Sequence, residues 1–189
     1  MFDHLKTLLV DPVLPPRCPI NGEIVDRDAS ISPSAWAELR FLVSPWCECC
    51  GMPFEFADTS DAEYRCGDCL KRQPSYDTAR AALAYNEHSR KLILSFKHGD
   101  QQGCVPLMAR LMARLIDKPG SYDGVIPVPL HYRKLLKRRF NQSALMARAI
   151  SRMTGIPYLP DTLIRTRQTP PQKNKNHRER RRNVKQAFA

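Results

Sequence analysis

The chain has 189 residues, 42% of them hydrophobic and 26% charged, which is enough apolar material for a globular core and excludes wholesale disorder. No run of about 18 apolar residues exists, so a membrane-spanning helix is excluded. The net charge of +11 is unevenly placed: residues 131–189 hold 16 Lys+Arg against only Asp161 and Glu179, while residues 1–130 hold 14 against 17. Such a field attracts polyanions, with nucleic acid and phosphorylated sugars the natural candidates.

The opening MFDHLKTLLVDP has an apolar stretch too short for a secretory signal and no basic leader, so a cytoplasmic location is expected. It contains a short amphipathic segment, Phe2, Leu5, Leu8 and Leu9. Next comes Cys18-Pro19-Ile20-Asn21-Gly22, where a zinc knuckle would place its second ligand at position 21. Asparagine supplies no thiolate, and Cys18 reads as a packed thiol. A helix is predicted over 33–42, with Trp36, Leu39 and Leu42 on one face. Residues 1–46 are thus expected to form a degenerate, metal-free ribbon and helix.

Residues 47–73 carry the strongest local signal, Cys47-x-x-Cys50-Gly51 and, fifteen residues later, Cys66-Gly67-Asp68-Cys69. Two such knuckles supply four thiolates, Cys47, Cys50, Cys66 and Cys69, for a tetrahedral structural Zn²⁺. Disulfides are disfavoured by the expected location, and a redox pair would need only one motif in a βαβ setting. A closed four-thiolate sphere leaves no position for water or substrate, so catalysis at this metal is not expected. Cys49 and Cys104 read as bystanders. Glu48, Glu55, Asp58, Asp61, Glu63 and Asp68 make the ribbon acidic and better suited to a protein contact than to phosphate.

From Pro74 onward the pattern alternates. A strand is predicted at 79–85, a helix at 87–98 ended by Gly99, and a helix at 104–116 with Met108, Leu111, Met112 and Leu115 on one face. Val125, Ile126 and Val128 predict a short strand that Pro127 and Pro129 terminate. A basic connection follows (Arg133, Lys134, Lys137, Arg138, Arg139), then Asn141 as N-cap of a helix with Met146, Ala149, Ile150 and Met153 inward, closed by Gly155 and Pro157. The alternation predicts an α/β domain over 74–189 with a parallel sheet. Where a strand, cations and a helix N-terminus meet, a phosphate or pyrophosphate site is expected from Arg133, Lys137, Arg138, Arg139, Asn141 and Gln142. A short strand at 162–164 leads to Arg165-Thr166-Arg167, Thr169 and Gln172, and a basic segment ends the chain.

These residues carry a resemblance. Pro127-Val128-Pro129-Leu130-His131, Arg133 and Arg138-Arg139-Phe140-Asn141-Gln142-Ser143 resemble the signature of the ComF family, the competence protein F group of bacterial phosphoribosyltransferase-like proteins. The likeness extends to Phe96-Lys97-His98-Gly99 upstream and to Arg165-Thr166-Arg167, Thr169, Gln172, Arg178, Arg182-Asn183 and Ala187-Phe188 downstream. Where the motif usually has glycine, this chain has Arg139. Ser32 and Ala35 stand where two-ribbon members carry a second Cys-x-x-Cys before tryptophan.

The resemblance implies a zinc ribbon followed by a type I phosphoribosyltransferase-like parallel sheet with helices on both faces. It implies a hood formed by Arg165, Arg167, Thr169 and Gln172 over a phosphorylated sugar ligand, with Mg²⁺ accompanying phosphoribosyl pyrophosphate (PRPP). It also implies a role in handling single-stranded DNA, with competence-machinery proteins as partners. Such an enzyme would continue past Phe188 into an acidic pair and a Thr/Gly phosphate loop, so the sequence reads as truncated before that loop and weak or absent transferase activity is expected. The alternatives are an active phosphoribosyltransferase of nucleotide metabolism and a non-enzymatic fragment whose sheet a partner completes.

Overall fold

The computed structural model describes residues 14–28, 30–55, 64–98, 102–172 and 174–189. The amphipathic segment expected at residues 2–9, Gly99, and the acidic Asp58, Asp61 and Glu63 lie outside the described residues. The chain divides into two compact units, Met1–Leu107 and Met108–Ala189.

The first unit repeats one small design twice. Residues 16–25 turn back on themselves: the Cys18 amide donates to Glu23 O at 2.7 Å, Gly22 to Cys18 O at 2.9 Å, and Val25 to Pro16 O at 2.9 Å. Residues 45–54 do the same, with Cys47 to Met52 O at 2.8 Å, Gly51 to Cys47 O at 2.9 Å and Phe54 to Pro45 O at 2.9 Å. Each turn contains a glycine in the left-handed region, Gly22 at φ +77° and Gly51 at φ +72°. At Gly51 a Cβ would also lie 2.6 Å from Ala79 O, so no other residue fits there. Each turn is followed by a one-turn helix, Pro33–Ala37 and Gly67–Lys71, with Ser32 and Cys66 as the N-caps.

The Glu87–His98 helix is opened by a reciprocal cap, in which the Ser89 amide donates to Asn86 Oδ1 at 2.8 Å and the Asn86 amide to Ser89 Oγ at 2.9 Å. Its apolar stripe is Leu92 and Phe96, 1% and 4% exposed. A 3₁₀ turn, Gln102–Cys104, then leads into the Val105–Ala113 helix, which buries Ala109 and Leu111.

In the second unit, His131 caps the Tyr132–Arg138 helix and Asn141 caps the Gln142–Thr154 helix, whose Met146, Ala147 and Ile150 are buried. Gly155, at φ +77°, ends that helix, its amide bonded to Ser151 O at 2.8 Å. The His177–Val184 helix opens with a capping box between Asn176 and Glu179 and buries no residue.

The expected α/β architecture is not what the chain forms. Among the described residues there is no β-strand and no parallel sheet, only isolated bridges such as Phe41 with Leu83, Val125 with Tyr158 and Arg165 with Phe188. The reason is clearest at the stretch expected to be the central strand. Val125 pairs with its neighbours, donating to Pro157 O at 2.8 Å and accepting from Leu159 at 3.1 Å. Beyond it Pro127 and Pro129 lack donors, and both backbone groups of Val128 are taken by side chains, its amide by Ser143 Oγ at 2.9 Å and its carbonyl by Asn141 Nδ2 at 3.1 Å. No ladder can propagate from there. The basic connection read as a loop is itself the Tyr132–Arg138 helix.

Candidate metal centre and cationic surface

Cys47, Cys50, Cys66 and Cys69 come from a knuckle and a helix N-terminus, and their four sulfurs lie within 4.8 Å of one another. Cys50 Sγ and Cys66 Sγ are 3.6 Å apart. A tetrahedron with metal–sulfur bonds of about 2.3 Å has edges of roughly 3.8 Å, so the donor set fits zinc. Two backbone amides point at one sulfur, Cys50 N at 3.5 Å and Cys66 N at 3.3 Å from Cys47 Sγ. Burial acts to raise the Cys47 thiol, but the amides of Cys50, Cys66 and Cys49 outweigh it and bring it down to about 6. Burial, with thiol neighbours, pushes Cys69 up.

Arg80 laces this centre together, a role that no sequence motif signals. Its Nη1 donates to Glu48 O at 2.9 Å, Ala79 O at 3.0 Å and Cys47 O at 3.3 Å. Its Nη2 meets Glu48 Oε2 at 2.7 Å, and its guanidinium lies 5.1 Å from the Trp46 ring centroid. The buried Cys49, read as a bystander, accepts the Ala79 amide at 2.7 Å through its carbonyl. Cys104 is buried, and burial raises its thiol.

In the second unit the cations group around residues 165–169. Arg133 bonds Tyr132 Oη at 3.1 Å, sits 5.8 Å from that ring's centroid, and reaches Gln168 Oε1 at 3.5 Å. Lys134 Nζ donates to Thr169 O at 3.4 Å; burial first, then the charges of Arg165 and Arg138, hold its ammonium below the usual lysine value. Arg165 donates to the hydroxyl of the buried Thr169 and lies 5.3 Å from the Phe188 ring centroid, while its Nε has no partner. Gln142 Nε2 and Gln172 Oε1 are likewise buried and unpartnered.

Other expected site residues are placed differently. Arg167 is an internal tie, donating to Lys185 O at 2.6 Å and Asn183 O at 3.1 Å. Arg138 is exposed, and Arg139 is the exposed C-cap of its helix at φ 63°. The Lys137 side chain lies outside the described residues. Asn141 caps its helix by accepting the Ser143 amide at 3.0 Å, so that donor is already satisfied. Lys134, which belonged to the basic segment but not to the expected site, is the lysine in direct contact with Thr169.

This geometry defines a four-cysteine zinc-ribbon protein with a cationic second unit, and the comparisons with known proteins agree. Residues 9–70 match the double zinc ribbon domain family. The chain is similar to competence protein F of Haemophilus influenzae, 30% identical over 151 residues that make up 77% of this chain and 64% of that protein. It is also similar to the DNA utilization protein YhgH of Escherichia coli O157:H7, 30% identical over 148 residues, 75% of this chain and 63% of the relative. The YhgH of Salmonella typhimurium is 28% identical over the same shares. These matches support the resemblance to the ComF family. It spans less than two thirds of the length of these relatives. No solved structure matches it. The four-cysteine cluster and the ribbon match together identify structural zinc as its metal. No helix among the described residues is long and apolar enough to cross a membrane.

Proposed function

We propose that this chain acts in the uptake or use of DNA, with its second unit binding single-stranded DNA and its zinc ribbon serving as structural support and as a contact for competence-machinery proteins. The observation that carries the proposal is the charge distribution. Residues 131–189 hold 16 cations against two carboxylates, and the His177–Val184 helix presents exposed Arg178, Arg181 and Arg182 at i, i+3 and i+4. Tyr132, 59% exposed beside Arg133, adds an aromatic face on which a base can stack. Relatives named for competence and DNA utilization support the same reading. Its site of action is the cytoplasm.

The test is fluorescence anisotropy with a labelled single-stranded oligonucleotide. Affinity should be highest at low salt and fall linearly on logarithmic axes as salt rises. No binding at low salt would end the proposal.

A second reading is favoured by Lys134 and Arg165, which both bond Thr169, with the charge of Arg138 felt at Lys134 and the Arg165 Nε unpartnered. Such a group of cations suits a phosphate-sized anion, and the pyrophosphate end of PRPP with Mg²⁺ has that chemistry. Within residues 131–189 the only carboxylates are the separated Asp161 and Glu179, so in this reading these residues supply the grip on the pyrophosphate end of the ligand. Pyrophosphate released from PRPP by the wild type and lost in Arg133→Ala would show an active transferase instead.

A further inference from the structure

The two turn-plus-helix motifs of the first unit correspond residue by residue. Cys18, Asn21, Ser32 and Ala35 take the places of Cys47, Cys50, Cys66 and Cys69: first and fourth residues of the turn, N-cap of the helix, and third residue inside it. The isolated bridges match as well, Arg17 with Ile24 and Trp46 with Pro53, each one residue before and six after the first cysteine. Cys18, Ser32 and Ala35 are 2%, 1% and 2% exposed, while Asn21 is exposed at the edge of the motif.

One thiol, one amide, one hydroxyl and one methyl do not make a zinc site. Those groups are instead bonded to one another. Asn21 Nδ2 donates to Ser32 Oγ and Ser34 Oγ, both at 2.9 Å, and Ser32 Oγ and Ser34 Oγ are 3.1 Å apart. Ser34 Oγ donates to Glu23 at 2.8 Å, and the Ala35 amide donates to Ser32 Oγ at 3.3 Å. Asn21 Oδ1 accepts from the Glu23 amide at 3.2 Å. Burial acts to raise the Cys18 thiol, yet the amides of Ser32, Asn21 and Ile20 hold it below its ordinary value, as the knuckle amides do for Cys47.

We propose that residues 17–37 are a complete second ribbon in which hydrogen bonds among Asn21, Ser32, Ser34 and Glu23 replace the metal. The chain therefore holds one zinc ion despite its double-ribbon architecture, and thiolates restored at positions 21, 32 and 35 would create a second tetrahedral site. A metal-free ribbon keeps its shape when zinc is scarce. The same chelator that dismantles residues 47–69 should leave it standing.

The test is zinc content of the purified full chain by atomic emission, with cobalt substitution as a spectroscopic check. Wild type should hold one ion, and the N21C/S32C/A35C variant two, with a doubled cobalt–thiolate absorption. Two ions in the wild type would overturn the proposal, as would a folded triple variant that still holds one. Cys18→Ser provides a reading that does not depend on the triple variant folding. It should leave both the zinc content and the affinity measured against a chromogenic chelator unchanged, and a loss of zinc in Cys18→Ser would also overturn the proposal.

Discussion

Arg80 and Glu48 meet at 2.7 Å across 32 residues of chain, and the same guanidinium holds three backbone carbonyls and lies over Trp46. The Arg80 side chain is only 16% exposed, so the ring of acceptors around it would be left unsatisfied if it were removed. Arg80→Ala should lower stability by about 2 kcal/mol in denaturant unfolding and speed zinc loss to a chelator. Arg80→Lys should recover only part of this, because an ammonium cannot serve the planar set of acceptors. Unchanged unfolding in Arg80→Ala would refute the role.

Zinc retention should depend on pH with a definite sign. Cys47 is depressed to about 6 by the amides that outweigh its burial, so the stability from its ionisation is fully present above the ordinary thiol range and is lost as pH falls through about 6. Cys50 and Cys69 are raised and must give up protons to bind metal, which makes acid still more effective at displacing it. Titration with a chromogenic chelator should therefore show zinc held at pH 7 and above and released on acidification. Retention that is flat down to pH 4 would contradict the site.

Arg139 stands at φ 63° as the C-cap of the Tyr132–Arg138 helix, a conformation that costs any residue with a Cβ. Its amide donates to Leu135 O at 2.8 Å, a backbone bond that glycine would keep. Arg139→Gly should raise stability by about 0.5–1 kcal/mol, read as an increase in unfolding midpoint. Loss of stability would mean the exposed side chain makes a contact that the geometry does not show.

Asn141 has two roles, accepting the Ser143 amide and donating to Val128 O. Asn141→Ala should cost about 1–2 kcal/mol through the lost cap and release the segment before it. Asn141→Asp should restore the cap but not the bond to Val128, giving an intermediate loss. Equal losses in the two variants would refute this division.

Side-chain chemistry was legible where spacing alone determines it. The two Cys-x-x-Cys pairs, Asn141 as a helix cap and Gly155 as a helix end could each be read from a few neighbouring residues. The Glu87–His98 helix was readable from its apolar period. The sheet was not, because β-branched residues at 125–128 signal an extended backbone without saying whether a partner strand is present. There, two prolines and the side chains of Asn141 and Ser143 consume the groups a ladder needs. Long-range roles were equally hidden: Arg80 and Lys134 lie 32 and 35 residues from their partners, and neither stands in a motif. The replacement of ligands by Asn21 and Ser32 could be suspected from the sequence, but the bonds joining them required coordinates.

The central claim is that the second unit is a polyanion surface for single-stranded DNA, and the slope of log binding constant against log salt tests it most directly. Wild type should give a steep negative slope, and Arg178→Ala/Arg181→Ala/Arg182→Ala should make it shallower by about 2, at roughly 0.7 for each lost phosphate contact. A wild-type slope near zero, or a triple variant with the wild-type slope, would contradict it.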